Sequence, residues 1–183
     1  MKELKNIEVE FRSIFDKKKY NSLKLFLDKY ANNLGVDDKD SYYYLIDEKV
    51  IKVVNNISQK TAKIVMKLNR VGTGDNSTEE IEIFIDPKDV LKGVKLFSEL
   101  KFDEVQKSFQ KRINYKYKEV VLELKYSESW GYHMELEIMI SDIREKKKAE
   151  EKIFSVAEEL GIDILSKDEL KKFINKINQS YKK

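Results

Sequence analysis

Three Glu-x-Glu pairs stand out in the chain: Glu8/Glu10, Glu80/Glu82 and Glu135/Glu137. Side chains two apart in an extended strand share a face, so each pair sets two carboxylates side by side. Like charges there repel and Glu is a poor strand former. Folding alone does not select such a pattern, whereas binding a cation does. Basic residues recur on matching faces, at Arg12, Lys52, Lys63, Lys67, Arg112 and Lys125. With Glu123 added, seven negative charges stand against six positive ones, a balance of −1. A bare polyphosphate gains nothing overall from that lining. A polyphosphate already bridged to divalent cations presents both signs and satisfies both sets. A single His, His133, and no Cys leave an all-oxygen donor set, which suits Mg²⁺ or Mn²⁺ rather than zinc.

The elements that must carry these residues follow from periodicity. IEVEFRSIF (7–15) alternates strictly, with Ile7, Val9 and Phe11 opposite Glu8, Glu10 and Arg12, and predicts a strand. From an N-cap at Asp16, the apolar residues Tyr20, Leu23, Phe26, Leu27, Tyr30 and Leu34 predict one helix stopped by Gly35. Strands are expected at YYYLID, KVIKVVNN, KTAKIVMKLN and EEIEIFI, with VGTGDNST as a turn. Asp86-Pro87 opens a second helix with a stripe at Val90, Val94, Phe97 and Leu100. Three strands follow, VQKSFQKRINYKY, KEVVLELKY and YHMELEIMI, joined by short turns that favour antiparallel pairing. Two helices close the chain, one stopped by Gly161 and one opened by the capping box Ser166–Glu169. A sheet curled with its charged faces inward and its apolar faces against helices makes a hydrated tunnel, with the core outside the barrel.

Composition narrows the classes. With 183 residues, one Pro and six Gly, a single domain over 1–183 is expected. Apolar residues at 41% suffice for a core, while 38% charged residues argue against a membrane protein. The net charge of +3 is not the one-signed field of a nucleic-acid clamp. Charge in MKELKNIEVE, where a secretory signal needs an apolar run, makes the cytoplasm the expected compartment.

In this order the fragments resemble the CYTH domain of the triphosphate tunnel metalloenzyme superfamily, which includes class IV adenylate cyclases, thiamine triphosphatases and inorganic triphosphatases. Glu8-Val9-Glu10-Phe11-Arg12 is similar to the family's opening Glu-x-Glu-x-Lys, and Gly131 to Glu137 to its closing Gly-x-Phe-Leu-Glu-Ile-Glu. Ala62 to Lys67, Glu80-Ile81-Glu82, Phe97 to Phe102, and Arg112 with Tyr115 match its middle strands and helix. Three positions depart from the pattern: Val54 stands at a family Arg, Gln110 at a Lys and Lys125 at an Asp.

The resemblance implies an α+β fold built on a closed antiparallel β-barrel. It implies two Mg²⁺ or Mn²⁺ ions held by Glu8, Glu10, Glu80, Glu82, Glu135 and Glu137. It further implies a triphosphate cradled by Arg12, Lys52, Lys63, Lys67, Arg112 and Lys125. Catalysis would fall to Glu8, Glu10, Arg12, Lys67, Arg112, Glu135 and Glu137. The expected activity is hydrolysis of a small triphosphate or nucleotide by a monomer or homodimer. The alternatives are a class IV-type cyclase and a non-catalytic module for polyphosphate, nucleotide or RNA 5′ ends. His133 is expected to pack or to lie at the rim, Trp130 to anchor a turn, Gly72-x-Gly74 to make a hairpin turn, and Arg144 to Lys148 to start a solvated helix.

Overall fold

The computed structural model describes residues 7–68 and 77–181. Strands β1 (Ile7–Ile14), β2 (Asn32–Val36), β3 (Lys39–Ile46), β4 (Lys49–Asn56), β5 (Thr61–Lys67), β6 (Ser77–Ile85), β7 (Glu104–Tyr117), β8 (Val120–Ser127) and β9 (Gly131–Ile140) form one antiparallel sheet. Its order is β2-β7-β3-β4-β5-β6-β1-β9-β8, and the pairing of β7 with β8 closes eight of the strands into a barrel. Helices α1 (Lys17–Tyr30), α2 (Val90–Ser98), α3 (Lys146–Leu160) and α4 (Lys167–Tyr181) complete an α+β fold. None of the helices is long and apolar enough to cross a membrane.

The alternation turns the barrel inside out, as the strand faces predict. Val9, Phe11, Leu122, Leu124, Met134 and Leu136 point outward and pack under Leu23 and Leu27 of α1 and Ile153, Val156, Ala157 and Leu160 of α3. A smaller cluster on the far side joins Tyr44, Val53 and Ala62 to Val90, Val94 and Phe97 of α2. The main hydrophobic core therefore lies between barrel and helices, and the barrel interior is left to charge. Ile153 is fully buried at the centre of the larger cluster. Ile153→Ala is expected to cost about 2–5 kcal/mol in a denaturant titration. Because Ile153 touches only the outer layer, ligand binding by the folded fraction should be unchanged.

Local signals set most boundaries. Asp16 accepts a hydrogen bond from the Lys19 amide at 2.7 Å and opens α1. Gly161 adopts φ 58° after α3, the left-handed turn that glycine enters without strain. Ser166 and Glu169 cap α4 reciprocally, with Glu169 accepting from the Ser166 amide at 2.9 Å.

Two expectations fail. The first helix ends at Tyr30 rather than reaching Leu34, because Asn32–Val36 instead pair with the second half of β7. β7 is 14 residues long and β3 covers only its first half, so the remaining edge needs a partner for its backbone groups. Gly35, at φ 102°, sits in the irregular step of that pairing and is not a helix stop. The second helix ends at Ser98, leaving Leu100 outside it and 56% exposed. Most of the expected turn VGTGDNST, with Gly72-x-Gly74, lies outside the described residues.

Candidate functional site

Strand parity and register assemble the site. Glu10 pairs with Glu137 and Arg12 with Glu135 across β1 and β9, while Lys67 pairs with Glu80 across β5 and β6. All of these point into a cavity of about 490 Å³ inside the barrel. Lys52 and Lys63 line it from β4 and β5, Glu82 from β6, Arg112 from β7, and Glu123 and Lys125 from β8.

One carboxylate oxygen from each of Glu8, Glu10 and Glu137 lies within 4.8 Å of the others. Burial, then the charges of Glu8 and Glu10, push the Glu137 carboxyl up to about 8. Burial foremost also raises Glu10. The trio therefore carries more negative charge than its surroundings can neutralise, and its donors are all hard oxygens. Both properties fit a hard divalent cation. Lys67 partly answers that charge, with Nζ 2.6 Å from Glu8 Oε2, 2.6 Å from Glu80 Oε1 and 3.6 Å from Glu10 Oε2. Burial opposes its charge, but the three carboxylates outweigh burial and hold Lys67 well above its ordinary value.

The remaining carboxylates are engaged elsewhere. Glu82 pairs with Lys63. Glu135 accepts from Arg12 Nε at 3.0 Å and pairs with Lys125, and these cations outweigh burial to hold it well below the usual range. Glu123 pairs with Arg112 and, at 2.5 Å, with Lys125. Lys52 is different. Among the described residues it has no ion pair, and burial, then Lys67, lower its ammonium to about 8.

The matching family model is that of the CYTH domain, over residues 6–170. The chain belongs to the CYTH domain family. Its barrel is similar to that of a conserved hypothetical protein of Pyrococcus furiosus, at 23% identity and TM-score 0.72 over 88% of this chain and 99% of that one. A candidate adenylate cyclase of Vibrio parahaemolyticus shares the fold at 12% identity and TM-score 0.67, covering 87% and 93%. The RNA triphosphatase domain of a mimivirus mRNA capping enzyme does so at 14% and 0.50, covering 85% and 90%. Among curated proteins, none matches the sequence significantly.

This CYTH barrel thus gathers every carboxylate and cation singled out in the sequence around one cavity, but it divides them. Glu8, Glu10 and Glu137 converge on one point, with Lys67 beside Glu8 and Arg12 beside Glu10, whereas Glu80, Glu82 and Glu135 stand apart in ion pairs of their own. His133 lines the cavity, 1% exposed, and its Nδ1 lies 3.0 Å from the Gly131 carbonyl oxygen. Burial, then Lys125, lower its imidazole to about 4, so it is neutral near pH 7. Trp130 anchors the β8–β9 turn, its ring near Phe173, His133 and the Arg12 guanidinium.

Sequence reasoning missed Lys39, Ser41 and Tyr43, which line the cavity from β3, and Lys171 and Asn178 of α4, which lies against it. The lining then holds eight basic side chains against seven carboxylates, so the expected balance of −1 becomes +1. Strand parity would have shown Lys39, because Lys39, Ser41 and Tyr43 alternate with Tyr42 and Tyr44.

Asp37 was also missed, since it precedes β3 with no periodicity to mark it. It is 3% exposed and accepts from Lys39 Nζ at 2.8 Å, Asn114 Nδ2 at 2.9 Å and Arg112 Nη2 at 3.0 Å. Burial opposes its ionisation, but Arg112 foremost and then Lys39 hold the carboxyl down at about 2. Asp37→Asn leaves buried Arg112 and half-buried Lys39 short of a partner and is expected to cost about 3–5 kcal/mol at pH 7. Because the folded value lies below the unfolded one, this stabilisation is present above about pH 4 and is lost as pH falls towards 2. Denaturant titrations at pH 7 and pH 3 should therefore show the gap between parent and variant narrowing at the lower pH.

Proposed function

We propose that this protein hydrolyses a small triphosphate compound inside the tunnel, in a reaction that depends on Mg²⁺ or Mn²⁺. One observation carries the reading: the over-charged trio Glu8, Glu10 and Glu137 shares one cavity inside the barrel with Lys52, a cation without an ion-pair partner among the described residues. Glu8, Glu10 and Glu137 would hold the divalent cation, which supplies Lewis-acid polarisation of phosphoryl oxygens. Lys52 and Lys67 then neutralise oxygens of the phosphate chain from one wall, and Arg12, Arg112, Lys125 and Lys39 from the other. Glu80, Glu82 and Glu135 position Lys67, Lys63 and Arg12.

Water attacks the terminal phosphorus, a new P–O bond forms and the bridging P–O bond breaks. The bridging oxygen leaves with the bonding electrons among the cations, and the proton of the water passes to the phosphate products or to solvent. Positioning and charge neutralisation supply most of the acceleration in phosphoryl transfer, and a wall of fixed cations performs both. No side chain is needed as a strong base.

The test incubates the protein with tripolyphosphate, ATP or thiamine triphosphate and Mg²⁺ or Mn²⁺, reading phosphate, pyrophosphate and cyclic AMP. Metal-dependent phosphate release is the expected result. Cyclic AMP with pyrophosphate from ATP would replace hydrolysis by a cyclase reaction, in which the ribose hydroxyl attacks the α-phosphorus. A melting temperature raised by metal and triphosphate together, with no turnover of any of the three, would replace both with a binding module.

A further inference from the structure

The two-cation arrangement implied by the family resemblance meets an obstacle on β8 and β9. Glu123 and Glu135 are direct cross-strand partners on the inner face. Two carboxylates so placed repel and call for a cation between them. That place is taken. Lys125, two residues along the same face, puts Nζ 2.5 Å from Glu123 Oε2 and in an ion pair with Glu135. The residue is 2% exposed and its ammonium is covalently held, so it does not exchange with solvent ions. Each carboxylate also carries a guanidinium, Arg112 on Glu123 and Arg12 on Glu135. Arg12 is shared with Glu10 and Arg112 with Asp37, so the Lys125 ammonium is the one cation committed wholly to this pair, and a divalent ion arriving here meets its place between the two carboxylates already filled.

We infer that the tunnel takes a single divalent cation, at Glu8, Glu10 and Glu137, and that the Lys125 ammonium is a built-in cation filling the second carboxylate pair. The inference rests on the triphosphate reading above and gives it a direction. The phosphate chain spans from one exchangeable metal to a fixed basic end made by Lys125, Arg112 and Arg12. Lysine suits the role because its charge is compact and its three N–H donors serve two carboxylates and still leave one for a phosphate oxygen.

The experiment is a Mn²⁺ titration of the chelator-treated protein, with bound and free metal separated by electron paramagnetic resonance and the count checked by calorimetry. The parent should bind one Mn²⁺ per chain with the spectrum of an isolated ion. Lys125→Asp should bind two, with the spin-coupled spectrum of a neighbouring pair. Lys125→Gln, nearly isosteric and neutral, is the second variant should the Asp protein not fold, and it should recruit a second, weaker Mn²⁺. Two ions on the parent would overturn the inference, as would a count of one on both folded variants. Failure of the function reading looks different: one Mn²⁺ on the parent with no turnover of any triphosphate sinks hydrolysis and leaves the single-cation site standing. Phosphate release by a parent holding two ions does the reverse.

Discussion

Glu137→Gln is expected to abolish metal-dependent phosphate release, by about three orders of magnitude or more, while making the metal-free protein more stable at pH 7. The opposite signs follow from one group. Crowded by Glu8 and Glu10, the Glu137 carboxyl keeps its proton up to about pH 8, whereas in the unfolded chain it loses it near the ordinary glutamate value. The folded state therefore binds more protons between those values, and parent stability falls as pH rises through that window. Glutamine reproduces the protonated shape at every pH and removes this loss. The stability difference should be absent below about pH 4.5, grow with pH, and reach roughly 3 kcal/mol near pH 7, read by denaturant titration in chelator. With no carboxylate at 137 the trio loses a ligand, so Mn²⁺ binding should fail in the same sample. A variant that destabilises the metal-free protein at pH 7, or that still hydrolyses triphosphate, sinks the assignment of Glu137.

Strand parity made the barrel and most of its lining legible. On β1, Val9 and Phe11 bury outward while Glu8, Glu10 and Arg12 line the cavity, and β5 repeats the pattern with Lys63 and Lys67 against Ala62 and Ile64. Parity says which face a side chain takes; it does not say which strands become neighbours. That Glu123 would face Glu135, and Lys67 lie beside Glu80, depends on the registers of β8 on β9 and β5 on β6. The sorting of seven carboxylates into one converging trio and several separate ion pairs was hidden for that reason. Asp37 escaped because its role is set by residues brought to it from β4 and β7. The tunnel contacts of α4 escaped because its apolar residues serve packing and cavity alike: Ile177, 8% exposed, also lines the tunnel. The short β2 was lost inside a helical pattern whose spacing continues by coincidence through Leu34, where demand from the uncovered edge of β7 overrides it.

Lys67→Met tests the electrostatics of the empty tunnel most severely. Strand parity places Lys67 beside Lys63, and with like charges around it removal would be harmless or stabilising. The structure reverses that expectation, because Lys67 is 9% exposed with Glu8, Glu10 and Glu80 as its nearest charged groups. Methionine keeps most of the stem volume, so packing is spared and the lost charge dominates. Breaking a buried ion pair from one side costs about 3–5 kcal/mol, and here Glu8 and Glu80 lose their near partner at once, while Glu10 keeps Arg12. The metal-free variant should be destabilised by that order at pH 7, and triphosphate turnover by the folded fraction should drop at least tenfold.

Two controls separate this from a packing defect. Glu80 is held below its ordinary value, since Lys67 and then Lys52 outweigh the burial that would raise it. Its share of the stability is present above about pH 4.5 and lost as pH falls below it, so acidification should shrink the gap between parent and variant. Saturating Mn²⁺ should shrink it too, because a cation at the trio replaces the missing positive charge. A gap indifferent to both pH and Mn²⁺ would mean that Lys67 acts through its methylenes, and the charge account of the tunnel would fail with it.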